Sequence, residues 1–267
     1  MHQTSLVHML TITPERTYHR LTAPLQTTLD DLVDLKVRQS DCFHFFETAA
    51  GIQEQVPALS SMYAGHFSGT GPEERRLLIW EPHPRSCRPD TLDDHKEAST
   101  LVDVFSPNHI ELAGFFDPGL DSYKYMRGLS NMDRVEVQAL KFRSLKRPYG
   151  GKLALIIRAA EHGCFVLPPD DDGSWLPPYY APGHLNVIDP TGAGNAFLGG
   201  FAIGWQETKN ALDAAMYGQV AASFTIEQVG LPKLERSAAG PELWNDNKVR
   251  ERLRQYKARG DVPMLFG

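Results

Sequence analysis

Cysteine is scarce in the 267-residue chain. Cys42, Cys87 and Cys164 are too few and too scattered for a disulfide framework or a zinc site, and they read as thiols buried in a core. Long apolar runs are missing too: none approaches the ~20 residues a membrane span needs, so no membrane partner is expected. The opening "MHQTSLVHMLTITPERTYHR" has no basic start and no small-residue cleavage site, which makes a cytoplasmic location the expectation. An excess of positive charge is absent, with 27 Lys and Arg against 33 Asp and Glu. Phosphate backbones demand a basic surface, so nucleic acid is excluded as the main partner. The ten histidines show no H-E-x-x-H spacing. No serine sits in a G-x-S-x-G setting either, so neither a zinc hydrolase nor an acyl-transfer triad has support.

What remains is an ordinary globular composition, 42% apolar and 22% charged. A chain of this length can bury one large core, so residues 1–267 are read as one α/β domain with an irregular segment over 1–40. Apolar runs alternate with helical patterns, which favours a mostly parallel sheet flanked by helices. Strands are expected at 41–48, 76–82, 103–106 and 152–160, the last being the most strand-like run and the candidate centre of the sheet. Helices are expected at 52–64, 91–102, 109–116, 196–206, 210–229 and 242–258. "LNVID", 185–189, reads as one more strand. The basic stretch 123–152 reads as a solvated helix and loop face rather than an anion-binding patch.

The strand expected at 185–189 runs into "DPTGAGNAFLGGF". A strand, a small-residue loop and a helix start gather backbone N–H groups around one point, with the positive end of the helix dipole aimed there. A phosphate is the natural guest, although a tight turn needs glycine for backbone reasons alone.

The larger pattern resembles the C-terminal signature of the PfkB, or ribokinase, family of carbohydrate kinases, D-T/P-x-G-A-G-D-x-F-x-G-G. "SPNHIELAGFF" resembles that family's N-x-x-E segment, "IWEPHPRSC" its strand-end D-P-N-x-R element, and "IIRAAEHGCFVL" its strand and turn beside the nucleotide base. "AASFTIEQVGLPK" resembles the late helix lining the adenine pocket. The wording is nearest to a fungal branch named for maintenance of a killer virus. The resemblance implies a ribokinase-like three-layer α/β sandwich. It implies nucleotide contacts at Asn108, Glu111, Gly163, Thr191, Gly192, Ala193 and Gly194, substrate contacts at His109 and Asp189, and ATP with Mg²⁺ as cofactors if kinase activity is retained. Glu111 would then help organise the metal and the phosphates through water.

Three departures qualify that implication. The family's catalytic Asp after Gly-Ala-Gly is Asn195, whose amide orients a hydroxyl but cannot take its proton, a loss of about 10²–10⁴ in rate. Ala160 replaces the first glycine of the usual G-x-x-G. Only residues 1–40 precede the first clear strand, so the chain reads as shortened, lacking the lid and the sugar-binding strands. Together these favour a degenerate ribokinase-fold protein reused to bind or convert a small molecule, for example in an isomerisation or pericyclic tailoring step of fungal natural-product biosynthesis, with Asn195 as its central polar group. The alternatives are an ATP-dependent carbohydrate kinase and a non-catalytic interaction protein. Family members dimerise through the lid, so a monomer is expected.

Overall fold

The computed structural model describes residues 7–10, 17–20, 40–63, 76–116, 130–143, 153–236 and 240–263. Two compact units are distinguished, Met1–Ser40 and Asp41–Gly267. In the first, β1 (Val7–Leu10) and β2 (Thr17–Arg20) pair antiparallel, with Val7 opposite Arg20, where an irregular segment is expected from sequence.

The second unit is built on a six-stranded sheet. Its elements follow in order: β3 (Cys42–Glu47), α1 (Ala49–Tyr63), β4 (Leu77–Pro82), α2 (Leu92–Ala98), β5 (Val104–Phe105), α3 (His109–Gly114) and α4 (Asn131–Arg143). They continue with β6 (Ala154–Arg158), β7 (Cys164–Leu167), β8 (Ser174–Leu176), α5 (Ala193–Thr208) and α6 (Ala211–Thr225). The two-residue strands β9 (Leu234–Glu235) and β10 (Leu243–Trp244) pair with each other ahead of α7 (Val249–Lys257). The sheet order is β3-β4-β5-β6-β7-β8. β3 to β6 are parallel, and β7 and β8 continue antiparallel.

Strands buried on both faces need apolar residues at every position, and β6 meets that demand with four consecutive buried residues, Ala154 to Ile157. The period of two then sorts them by face. Ile79, Val104, Ala154 and Ile156 join Phe197, Phe201, Met216 and Tyr256 in the core beneath α5, α6 and α7. On the other face Trp80 packs tilted against Phe105 with their ring centroids 4.7 Å apart, and Phe142 of α4 stacks on Phe105 at 4.7 Å. Helices on both faces make the three-layer sandwich expected from sequence.

Two elements differ from expectation. Residues 185–189 form an exposed loop rather than a strand: Leu185 is 92% exposed, and the N–H groups of Ile188 and Asp189 both donate to the Ile226 carbonyl rather than to a neighbouring strand. The C-terminal helix begins at Val249, not at 242, because Asn245 and Asp246 take positive φ values of 46° and 61° in a turn after β10.

Ala160 also takes a left-handed φ, 47°. This is the position where the sequence has alanine in place of a family glycine, and the Cβ is strained there. Ala160→Gly is therefore expected to raise folding stability by about 0.5–1 kcal/mol, the relief of left-handed strain exceeding the added freedom of the unfolded chain. Urea unfolding of the two proteins side by side measures it.

Candidate functional site

The Gly-Ala-Gly turn is held by short-range hydrogen bonds. Thr191 N–H donates to Asp189 Oδ1 at 2.9 Å, an Asx turn, and Ala193 N–H donates to the Pro190 carbonyl at 3.2 Å. Gly192 precedes α5 at φ 82°, a conformation that suits glycine, and no side chain caps the helix start. The first turn of a helix has N–H groups without intrahelical partners, and here they meet the positive end of a 16-residue dipole. Asn195 is exposed within that turn.

Beside the turn lies a cavity of about 680 Å³. Asp189, Thr191, Gly192 and Asn195 form its polar end, together with Thr225, whose methyl lies 3.5 Å from the place a Cβ on Gly192 would take. The rest of the lining is small or apolar: Gly199, Gly200 and Ala221 from the facing helices, then Phe224, Leu231, Pro232, Trp244 and Val249. The indole N–H of Trp244 is turned to Glu242 at 2.8 Å. The apolar lining and the polar helix start share one cavity, whose volume is within the size range of small-molecule sites.

Asn108 and Glu111 belong to a second cluster. The Asn108 side chain accepts from the N–H groups of Ile110 and Glu111 at 2.9 and 2.8 Å. Glu111 returns the contact, its Oε2 accepting from Asn108 N–H and its Oε1 from Asn108 Nδ2, both at 2.7 Å. The pair is a reciprocal cap of α3. Arg158, at the end of β6, places Nη2 2.8 Å from Glu81 Oε1 and 3.6 Å from Glu111 Oε2. The same nitrogen donates to the Ser106 carbonyl at 2.9 Å, and His44 Nε2 lies 3.1 Å from the other Glu81 oxygen. Burial pushes both carboxyls up. At Glu81 the close approach of His44 and the Arg158 charge outweigh that burial and hold it below the usual range, whereas Glu111 stays raised.

The two clusters meet at Gly194. A Cβ there would stand 2.3 Å from Arg158 Nη1, so the guanidinium packs directly against the first turn of α5. The expected site residues are thus divided: Asp189, Thr191, Gly192 and Asn195 share the cavity, Ala193 and Gly194 lie in the helix start, and Asn108 and Glu111 reach it through Arg158. Gly163 and His109 belong to neither group. Gly163 turns β6 into β7 at φ 86°, where a Cβ would meet the Leu176 carbonyl at 2.0 Å, and this packing accounts for the glycine. His109 opens α3, half-buried, with Nδ1 lacking a hydrogen-bond partner. Arg158 and His44 are the groups that sequence reasoning left out of the site, and Glu81 stands at the first position of the strand-end element in "IWEPHPRSC" without having been assigned a role.

An uncapped helix start beside an apolar cavity, on a mostly parallel sheet between helical layers, defines a ribokinase-like α/β protein. The chain belongs to the pfkB family of carbohydrate kinases, whose sequence model matches residues 80–235. It is 29% identical over 195 residues to protein MAK32 of Saccharomyces cerevisiae, covering 70% of this chain and 50% of that one. It is 37% identical over 168 residues to inositol 3-kinase of Arabidopsis thaliana, covering 62% and 43%. The chain spans about half the length of the curated relatives it matches. Thermotoga maritima ribokinase superposes with a TM-score of 0.53 at 19% identity, over 94% of this chain and 68% of that one, which shows a shared fold. Among the described residues, no helix is long and apolar enough to cross a membrane.

Proposed function

We propose that this chain keeps the nucleotide-side cavity of a kinase scaffold to bind a small molecule with a flat apolar body and an anionic end, without efficient phosphoryl transfer. One observation carries the reading: the polar groups of the 680 Å³ cavity gather at the uncapped start of α5, while the position of the family's base there is the amide Asn195. An amide orients a ligand by hydrogen bonds and has no basic lone pair at neutral pH. Glu111 supports the same reading, because both its oxygens are engaged by Asn108.

The relatives' names, inositol 3-kinase and ribokinase, make adenine nucleotides the first probes. Calorimetry is expected to show saturable binding of ADP or ATP, and weaker binding of adenosine, which lacks the anion. ADP release with a panel of sugars, inositols and nucleosides is expected to stay at least ~10²-fold below the 1–100 s⁻¹ typical of kinases. Turnover in that range would establish the ATP-dependent kinase instead, and an absence of nucleotide binding at millimolar concentration would sink the nucleotide reading. The apolar wall and orienting amide also suit a conversion without phosphoryl transfer, such as an isomerisation or a pericyclic step, which needs only shape, desolvation and hydrogen bonds. A product of unchanged mass from a candidate substrate is its test.

A further inference from the structure

The family resemblance implies Mg²⁺ near the N-x-x-E carboxylate, here Glu111, and the donor set around that group does not fit a divalent ion. Mg²⁺ is held by one or two carboxylates together with waters and phosphates, so a site for it needs those carboxylate oxygens open to the ion. Glu81 and Glu111 do converge on one point, but it is already taken by Arg158 Nη2, 2.8 Å from Glu81 Oε1 and 3.6 Å from Glu111 Oε2. The Arg158 side chain is only 12% exposed, and its Nη2 is anchored further by the Ser106 carbonyl at 2.9 Å. Among the described residues, no group of three or more His, Cys, Asp or Glu is placed to hold a metal ion.

We propose that the Arg158 guanidinium takes the place of the divalent cation, so that the positive charge at this end of the site is built into the chain. Two buried carboxylates need a counter-charge, because leaving them unpaired in a dry setting is costly. A guanidinium supplies that charge with a planar fork that engages several oxygens at once. Its other terminal nitrogen, Nη1, lies against Gly194 in the first turn of α5, where a Cβ would be 2.3 Å away. The fixed cation therefore stands directly behind the anion-facing helix start. For ligand binding this means that an anion is held there without a metal, a consequence that rests on the function proposed above; the replacement itself does not.

Titration with Mn²⁺ in the absence of nucleotide, counting the free ion by its electron paramagnetic resonance signal, tests the replacement. The wild-type chain is expected to show no saturable Mn²⁺ site, and Arg158→Lys, which keeps a cation in place, to behave likewise. Arg158→Gln is expected to gain one Mn²⁺ per chain, at least about tenfold tighter than any wild-type binding, as the two carboxylates lose their counter-ion. A one-to-one Mn²⁺ site in the wild type that Glu111→Gln abolishes would overturn the proposal, whatever the fate of the Arg158 variants. So would a folded Arg158→Gln, checked by circular dichroism, that gains none. In parallel, ADP affinity of the wild type should agree within about threefold between EDTA and excess Mg²⁺, and a tenfold gain with Mg²⁺ would overturn the metal-free anion site. Failure to bind ADP under either condition counts against the proposed function and not against the replacement, which the Mn²⁺ titration decides.

Discussion

Arg252→Ala is expected to lower folding stability by about 3–5 kcal/mol and to weaken ligand binding in the cavity at the same time. Arg252 lies in α7 with its side chain only 7% exposed, and its Nη1 pairs with Glu227 Oε1 at 2.6 Å. The same nitrogen donates to Ser223 Oγ at 3.1 Å, and the guanidinium carbon stands 3.7 Å from the centroid of the Phe224 ring. Truncation would strip Glu227 of its cation while leaving it largely buried, and that uncompensated charge is the main loss. The stacked Phe224 adds a smaller share, since a desolvated cation–π contact contributes about 1–2 kcal/mol. Phe224 is also part of the cavity wall.

The loss reaches the cavity by a second route. Glu227 accepts from the Tyr180 hydroxyl, and its Oε2 accepts from Asn245 Nδ2 at 2.7 Å, next to Trp244 in the lining. One buried carboxylate thus ties the loop after β8, the end of α6 and the turn before α7 together. Arg252→Lys keeps the charge but not the planar fork, so an intermediate loss is expected. Urea midpoints and nucleotide affinities of the three proteins separate the effects. A loss below about 1 kcal/mol for Arg252→Ala would show that Glu227 is satisfied without the arginine.

The difference between what was legible in sequence and what was not follows from range. β6 was legible because a strand buried on both faces is apolar through its middle, and β4 because its Leu77–Trp80 run is apolar and ends at Pro82. Asn108 with Glu111 was legible as a pair through the local N-x-x-E pattern, and the structure uses that three-residue spacing for a reciprocal cap. The run 185–189 misled because its alternation of apolar residues is a strand pattern, yet a strand also needs an edge to pair with. Its N–H groups found the end of α6 instead, at Ile226.

Arg158 was not legible for the opposite reason. In sequence it is the last residue of an apolar strand, and no motif marks it. Its partners Glu81, Ser106, Glu111 and Gly194 come from β4, the end of β5, α3 and α5, and only the parallel sheet brings those ends together. The only sequence cue was a basic residue immediately after three buried apolar ones, Leu155, Ile156 and Ile157. A charge at the C-terminal end of a central parallel strand points to the crevice where such folds hold ligands. That cue is positional, so it becomes usable only once the strand is known to be central.

Asn195→Asp separates the two main readings by the sign of its effect. If Asn195 merely replaced a lost base in an otherwise competent kinase, restoring the carboxylate would raise ADP formation by about 10²–10⁴. The expected result is different: turnover unchanged and affinity for ADP lowered about 10–100-fold. A carboxylate in the first turn of α5 is stabilised in its charged form by the helix dipole, so it would be an anion facing the ligand's anion. At 4 Å and an effective dielectric of about 20, two unit charges interact with about 4 kcal/mol, so a tenfold to hundredfold loss is within reach even after screening. Turnover stays unchanged because a base alone does not supply the other requirements of phosphoryl transfer, which relies on positioned positive charge at the transferring group and on an acceptor in line with it. Arg158 is anchored by Glu81, Ser106 and Glu111 behind the helix start, so it is not free to move onto a transferring group. Asn195→Ala is the control: it removes the orienting amide without adding charge, so it should cost less affinity than Asn195→Asp. A larger loss with alanine would mean that the amide, not the charge balance of the helix start, governs what this cavity holds.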